Sequence, residues 1–210
     1  MLLAGAGGHA LEVLDILIAD GMADDLHVFD RDESLLVFQG KYRVNHSEEV
    51  LKQLFHSDPR FILGVGNPKV RQRLHEQLSR LGGTLFCLSG KGNVISGYAD
   101  CGAGDVFNRC FIGPNTQIGK GCLINTGAQI HHEVQIGEFS EVNPGAVLLG
   151  GVQIGMMSSI GANATILPRV KIGNHTVIGA GSVVTRDVPD GVTVVGVPGR
   201  VLRRTPPSIT

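Results

Sequence analysis

The chain has no tryptophan, two tyrosines and eight phenylalanines among 210 residues, so its core must be built from aliphatic side chains. Charge of one sign is also missing, with 18 Lys and Arg against 19 Asp and Glu and a formal net charge of -1. That balance removes the electrostatic argument for binding nucleic acid or a membrane surface. No run approaches the roughly 20 apolar residues a membrane span needs. The apolar N-terminal stretch carries Glu12 and Asp15 and lacks a basic start, unlike a signal peptide. The chain therefore reads as a soluble, cytoplasmic protein of one or two domains. Its four cysteines, Cys87, Cys101, Cys110 and Cys122, show no CxxC spacing. Reduced packing cysteines are expected, with no disulfide and no metal.

What the chain does have is glycine, 30 residues of it, and a period. An aliphatic residue recurs every six positions thirteen times without a miss: Ile112, Ile118, Ile124, Ile130, Ile136, Val142, Leu148, Ile154, Ile160, Ile166, Ile172, Ile178 and Val184. Two positions before each stands a small residue, from Cys110, Thr116, Cys122 and Ala128 to Ser182. A period of six fits neither the 3.6-residue helix nor the alternation of one half-buried strand. It is the signature of a parallel β-helix, in which three short strands close one triangular coil. Residues eighteen apart in sequence then lie above one another, and the sequence becomes a rough map. Val94 and Val106 keep the same register while Asp100 breaks it, so the first coil is expected to be irregular. Beyond Val184, Asp187 to Gly191 turns away and Val192 to Val197 forms an extended end-piece.

Residues 1–90 follow another pattern. Strands are expected at Leu2–Ala4, Leu26–Phe29, Phe61–Val65 and Thr84–Leu88. Helices are expected from Leu11 to near Gly21, over Glu48–Phe55 and over Val70–Leu81. Alternating strands and helices imply an α/β domain with a short parallel sheet, half of a dinucleotide fold. Ser89-Gly90-Lys91-Gly92 reads as a linker, and residues 91–210 as the β-helix with its C-terminal extension.

Two groups of residues carry chemistry. The turn Gly5-Ala6-Gly7-Gly8-His9-Ala10 follows a strand and opens a helix, which places backbone N–H groups where a diphosphate can sit. Gly5, Gly7 and Ala10 satisfy the loose G-x-G-x-x-A form, with Asp30 ending the next strand. A dinucleotide fold of NAD type competes, as does a tight turn with no ligand. A domain of ninety residues better suits half a dinucleotide, such as a nucleotide diphosphate carrying a sugar. The second group is His131-His132-Glu133, which interrupts a β-helix face otherwise built from Gly, Asn, Thr and aliphatic residues. Stacking by eighteen puts Gly150 above His132, about 5 Å away by the spacing of neighbouring strands. An imidazole with a bare N–H one layer away suits a base and an oxyanion donor, and Glu133 suits the other ring nitrogen. A solvated corner histidine is the bland alternative.

Taken together, the chain resembles the sialic acid O-acyltransferase family of hexapeptide transferases, and within it the PglD-type enzymes that N-acetylate nucleotide-linked 4-amino sugars. The resemblance rests on Gly5-Ala6-Gly7-Gly8-His9, Gly64-Val65-Gly66-Asn67 with Arg71, Asn125-Thr126-Gly127-Ala128, His132-Glu133, Asn143-Pro144-Gly145-Ala146, Gly179-Ala180-Gly181-Ser182, and Val195-Gly196-Val197-Pro198. It implies a left-handed parallel β-helix, a homotrimer, and acetyl-CoA lying between neighbouring β-helices. It also implies an acceptor that is a UDP- or GDP-linked 4-amino-4,6-dideoxy sugar, in glycan biosynthesis. By this resemblance His132 is the general base, Glu133 its partner and the Gly150 N–H lies near the thioester carbonyl. Ala162 and Ala180 match positions touching the pantetheine arm, and Glu141 stands where related enzymes place a histidine near the cofactor. Gly7, Gly8 and His9 match the sugar-nucleotide loop; Asp30, Asn67 and Arg71 match positions around the nucleotide. Ser89-Gly90 replaces a usual histidine-proline pair, and Gly199 a usual alanine. Arg200, Arg203 and Arg204 read either as partners of CoA phosphates or as a solvated basic tail. Rival readings are sialic acid or other sugar O-acetylation, a zinc β-helix enzyme needing three convergent histidines, and a non-enzymatic scaffold.

Overall fold

The computed structural model describes residues 1–204. It divides into two compact units, Met1–Leu88 and the chain from Ser89 onward. Among the described residues no helix is long and apolar enough to cross a membrane.

In the first unit the order is β1 (Leu2–Ala4), α1 (Gly8–Ala19), β2 (His27–Phe29), β3 (Val37–Phe38), β4 (Tyr42–Asn45), α2 (Glu48–Ser57), β5 (Arg60–Leu63), α3 (Pro68–Arg80) and β6 (Thr84–Leu85). The strands lie in the order β3-β4-β2-β1-β5-β6. All pairs are parallel except β3 with β4. Every residue of β1 is buried, as a central strand covered on both faces requires. Phe29, Leu51, Phe55, Phe61, Leu74 and Leu78 pack on one side of the sheet. Each helix starts for a local reason. Ser47 caps α2 by accepting from the Glu49 N–H, and Asn67 caps α3 by accepting from Lys69 and Val70, with Pro68 in its first turn. α1 begins at Gly7 with no side-chain cap, which leaves the first-turn N–H groups to a different acceptor. After β1 the chain moves to β2 on one side and later to β5 on the other. That reversal opens a crevice at the carboxyl ends of β1, β2 and β5.

The hairpin β3–β4 has no counterpart in the expected elements. It turns on Gln39 and Gly40, both at positive φ (50° and 63°), the backbone of a type I′ turn. Glutamine is an unusual residue there, so the turn carries no Asn-Gly or Asp-Gly signature.

The second unit is a parallel β-helix of the left-handed hexapeptide type. Two-residue strands stack in three ladders, with Leu123 on Glu141, Gln129 on Val147 and Gln135 on Gln153. None of the thirteen hexad positions is more than 4 % exposed, which confirms the six-residue reading. Corners repeat with the coil: Asn115, Glu133, Gly151 and Arg169 share one column of positive φ, and Gly121, Phe139, Met157 and His175 another. The small inward residues also tie coils together. Cys122 Sγ donates to Gly137 O (3.1 Å), Ser140 Oγ to Gly155 O (2.7 Å), Ser158 Oγ to Gly173 O (2.8 Å) and Thr176 Oγ1 to Pro189 O (2.9 Å).

At the start the register differs from the expectation. Val94 pairs with Phe111 and points outward, 62 % exposed, while Ile95, itself 39 % exposed, pairs with Ile112 and so takes the register of the inward positions. The cause is a coil one residue short. Asp100 pairs with Gln117, but Asp105 already pairs with Leu123. The missing residue is absorbed at Gly102, whose φ of 49° and approach to Ile118 O leave no room for a Cβ. Ser89 and Gly90 are not a free linker either: Ser89 bridges to Val106, and the Gly90 N–H donates to Val106 O. Val192–Val195 extends one ladder, as expected of the end-piece, and then pairs antiparallel with Arg200–Arg204.

Candidate active site

Backbone bonds stack one corner of the β-helix into a column. The Glu133 N–H donates to Pro114 O (2.9 Å), Gly151 to His132 O (2.9 Å) and Arg169 to Gly150 O (3.0 Å). Pro114, His132, Gly150 and Pro168 therefore follow one another up the corner. Two of the four are prolines without an N–H. The Gly150 N–H donates to no other described residue and Gly150 is only half-buried, so an outward-facing donor sits directly above the histidine. A Cβ on Gly150 would overlap Cε1 and Nε2 of His132, so the imidazole rests against the glycine Cα. His132 Nδ1 lies 3.0 Å from Glu133 Oε2. An ionised carboxylate only accepts, so Nδ1 carries the proton and the Nε2 lone pair is left for chemistry. Glu133 holds this place at φ 60°, a left-handed conformation costing a non-glycine residue roughly 1–2 kcal/mol. Both side chains remain open to an incoming ligand, at 59 % and 64 % exposure.

His131 does not join them. Its ring packs on Phe111, with centroids 5.5 Å apart. The two imidazoles thus have separate surroundings, and among the described residues no three His, Cys, Asp or Glu side chains are placed to share a metal ion.

Glu141, Ala162 and Ala180 belong to the neighbouring corner. The Gly181 N–H donates to Ala162 O (2.8 Å), which stacks Ala180 above Ala162. The N–H groups of both alanines, like that of Gly150, donate to no other described residue. Glu141 sits on the strand leading into this corner, where its Oε2 accepts from Ser159 Oγ (3.1 Å) and Asn143 Nδ2 donates to the same hydroxyl (3.3 Å). The expected cofactor residues therefore cluster among themselves, one face away from His132. Gly150 is the exception and sits with His132. Arg200 is exposed and donates from Nη1 to Gly199 O; the side chains of Arg203 and Arg204 lie outside the described residues.

In the first unit the glycine turn is held by Asp30, whose Oδ2 accepts from the Ala6 N–H (2.8 Å) and whose Oδ1 accepts from Asp32 (2.9 Å). Gly5 needs its glycine for internal reasons, since φ is 111° and a Cβ would meet Val65 and Gly64. Gly7 and Gly8 do not: neither has a positive φ, and a Cβ on either would meet nothing. Their bareness leaves room for something outside the chain. Arg71 is 1 % exposed, and its Nη1 donates to Leu63 O (3.2 Å) and Val65 O (2.9 Å), bracing the carboxyl end of β5. Burial, and then the Arg71 charge, push the His9 pKa down from 6.5 to about 4, so the imidazole is neutral at neutral pH. Asn67 is committed through Oδ1 to capping α3. Below the loop a cleft of about 180 Å³ runs from Gly5 and Asp30 to Arg31, Val70, Arg73 and Leu74. Sequence reasoning named Asp30 but missed both arginines, which follow no motif. The thiols are spectators here: burial raises the pKa of Cys101 and Cys110, and Cys110 Sγ donates to Asn125 O (3.2 Å).

Residues 1–78 match the PglD N-terminal domain family, and residues 115–150 and 151–186 the bacterial transferase hexapeptide family of six repeats. No curated protein matches the sequence. Among solved structures, the chain is similar to the acetyltransferase domain of PglB from Neisseria gonorrhoeae in complex with acetyl coenzyme A. They share 28% identity over 96% of this chain and 98% of that one, with a TM-score of 0.88. It is similar to PerB from Caulobacter crescentus in complex with CoA and GDP-perosamine at 30% identity, over 95% of each chain, with a TM-score of 0.86. WeeI from Acinetobacter baumannii shares the fold at 23% identity over 96% and 98% of the two chains, TM-score 0.68. With its N-terminal PglD domain, its hexapeptide coils and this degree of likeness over almost its full length, the chain belongs to the PglD-type hexapeptide-repeat transferases.

Proposed function

We propose that the protein transfers the acetyl group of acetyl-CoA to the amine of a nucleotide-linked 4-amino-4,6-dideoxy sugar, and that it does so as a homotrimer. One observation carries the reading: the His132 ring lies against Gly150, whose N–H points outward without a partner among the described residues, while Glu133 holds the far ring nitrogen.

Acetyl-CoA supplies the acetyl group as a thioester. The Gly150 N–H donates to the thioester oxygen and stabilises the negative charge that builds on that oxygen as the neutral amine attacks the carbonyl carbon. His132 Nε2 removes the proton that the new C–N bond makes acidic, directly or through one water. Glu133 stabilises the imidazolium that results. Collapse breaks the C–S bond, and His132 returns its proton to the departing sulfur, so the enzyme ends unchanged. A positioned base of this kind is worth roughly 10²–10⁴-fold. No enzyme nucleophile is required. Ala162 and Ala180 hold the pantetheine arm with their outward N–H groups, beside Glu141. Gly7, Gly8 and His9 receive the sugar diphosphate, and Asp30, Asn67 and Arg71 fix the loops around it.

The likeness to PglB and PerB supports the choice of acyl donor and of an amino-sugar acceptor. The separation of the two corners supports a shared site: a ring of three copies sets one corner of each protomer beside a different corner of the next. A CoA-release assay across UDP-, GDP- and dTDP-linked 4-amino sugars and their 4-hydroxy counterparts tests the reading. Turnover is expected with an amine only. Turnover with the hydroxyl sugars, or with none, contradicts it.

A further inference from the structure

The corner of the β-helix that carries His132 continues below it, and its lower half differs in chemistry from its upper half. The Asn115 N–H donates to Tyr98 O (3.1 Å), as the Glu133 N–H does to Pro114 O and the Gly151 N–H to His132 O. Tyr98 therefore stands at the foot of the corner, two coils below His132, about 10 Å at the ~4.8 Å spacing of neighbouring strands. Above the histidine the corner presents the Gly150 N–H. Below it come the exposed Pro114 ring, which has no N–H, and then the Tyr98 side chain. The exposed Asn115 and Glu133 form a polar column beside this apolar strip. At 81 % exposure Tyr98 is the most exposed large hydrophobic side chain among the described residues. A ring left in water adds nothing to the core, because only surface removed from water stabilises the fold. Folding gives no reason for a tyrosine at this corner; an incoming ligand does.

We propose that Tyr98, with Pro114, forms the wall against which the deoxy edge of the acceptor sugar packs, so that the acceptor reaches His132 from below while the thioester lies above at Gly150. The inference rests on the reading of the protein as an amino-sugar acetyltransferase and adds a residue that selects the sugar. In a 4-amino-4,6-dideoxy sugar the C6 methyl stands on C5, next to the carbon that bears the reacting amine. Three bonds separate that methyl from the nitrogen, so the surface that receives it borders the base. An apolar wall matches a methyl and not a hydroxymethyl. Neither the proline ring nor the face of the tyrosine ring replaces the water that a hydroxyl would give up. The flat ring supplies contact area with only two side-chain torsions to order, and the contact belongs to the ring rather than to the phenol oxygen.

Steady-state CoA release by the full chain decides it, with UDP-, GDP- and dTDP-linked 4-amino-4,6-dideoxy sugars and their 6-hydroxy counterparts, in wild type, Tyr98→Ala and Tyr98→Phe. With the nucleotide that supports turnover, the wild type is expected to favour the deoxy sugar at least about tenfold in kcat/KM, since a hydroxyl finds no partner on the wall. Tyr98→Ala should raise the KM of the deoxy sugar about tenfold, as returning about 60 Å² of apolar surface to water would. It should also bring the two sugars within about threefold of each other, while the KM of acetyl-CoA stays at the wild-type value. Tyr98→Phe, which keeps the ring, should restore both the KM and the preference. The rise in unfolding midpoint produced by acetyl-CoA should be the same in both variants as in wild type, which shows them folded. An unchanged acceptor KM in Tyr98→Ala, equal use of the two sugars by the wild type, or a change confined to the KM of acetyl-CoA overturns the proposal. So does a Tyr98→Phe enzyme as impaired as Tyr98→Ala, because the contact would then be the phenol's. If these effects are missing while amine-dependent CoA release persists, only the role of Tyr98 falls. If no nucleotide-linked amine is acetylated, the amino-sugar reading falls with it.

Discussion

A methyl group at position 150 would occupy the space that the His132 ring fills, and the three atoms nearest to it all belong to that ring. The backbone there tolerates any residue, and the displaced group is the far end of an exposed side chain. Gly150→Ala should therefore leave the unfolding midpoint close to wild type while CoA release drops on the order of 100-fold, the low end of what a positioned base supplies. Unchanged turnover would show that the ring does not work from where it rests. His9 makes a prediction about pH. Its folded pKa of about 4 lies below the unfolded 6.5, so burial favours the neutral form. The stability this contributes is complete above pH 6.5 and is lost as pH falls towards 4, up to about 3 kcal/mol at 1.36 kcal/mol per pK unit. Thermal unfolding at pH 7 and pH 4.5 should show a larger loss for wild type than for His9→Asn; parallel losses would remove His9 from the acid sensitivity. The pairing of His132 with Gly150 was legible in the sequence because a repeat converts sequence distance into position. The bonds from Arg31 Nη2 to Gln77 Oε1 (2.6 Å) and from Gln77 Nε2 to Glu48 Oε1 (2.7 Å) were not, since they cross between α2, α3 and the end of β2, and no period links them.

At the scale of elements, the ladders explain why small inward residues alternate with aliphatic ones. Ser158 serves two buried bonds, donating to Gly173 O and accepting from the Thr176 N–H (3.0 Å). Ser158→Ala leaves both groups unsatisfied and should cost roughly 1–3 kcal/mol. Denaturant unfolding measures it, and a cost below about 0.5 kcal/mol would mean the ladder is decorative. Hexads predicted the coils from Ile112 onward because each inward side chain has the same neighbours above and below. They misplaced Val94 because a one-residue contraction at Gly102 shifts everything before it by one, and on a strand a shift of one exchanges inside for outside. The β3–β4 hairpin escaped for a related reason: its strands are two and four residues long, and its turn uses Gln39, which no propensity favours.

For the whole molecule, the proposed division of the site between two corners has a consequence that only an assembly can show. A trimer built from His132→Ala subunits lacks the base, and one built from Ala180→Arg subunits blocks the arm. Refolded together in equal amounts, random assortment in a symmetric ring gives about one interface in four with both corners intact. About a quarter of wild-type activity should return, whereas a site contained in one protomer regains nothing. The order of the two units, and the fold of each, could be read from periodicity and from the glycine turn; the assembly could not, because no repeat records which faces meet. The rate of CoA release by His132→Ala at saturating acetyl-CoA and amino-sugar nucleotide tests the central claim most directly. A fall of about 10²–10⁴-fold, with the midpoint rise from acetyl-CoA preserved, is the predicted result. A variant that keeps more than half the wild-type rate would contradict it.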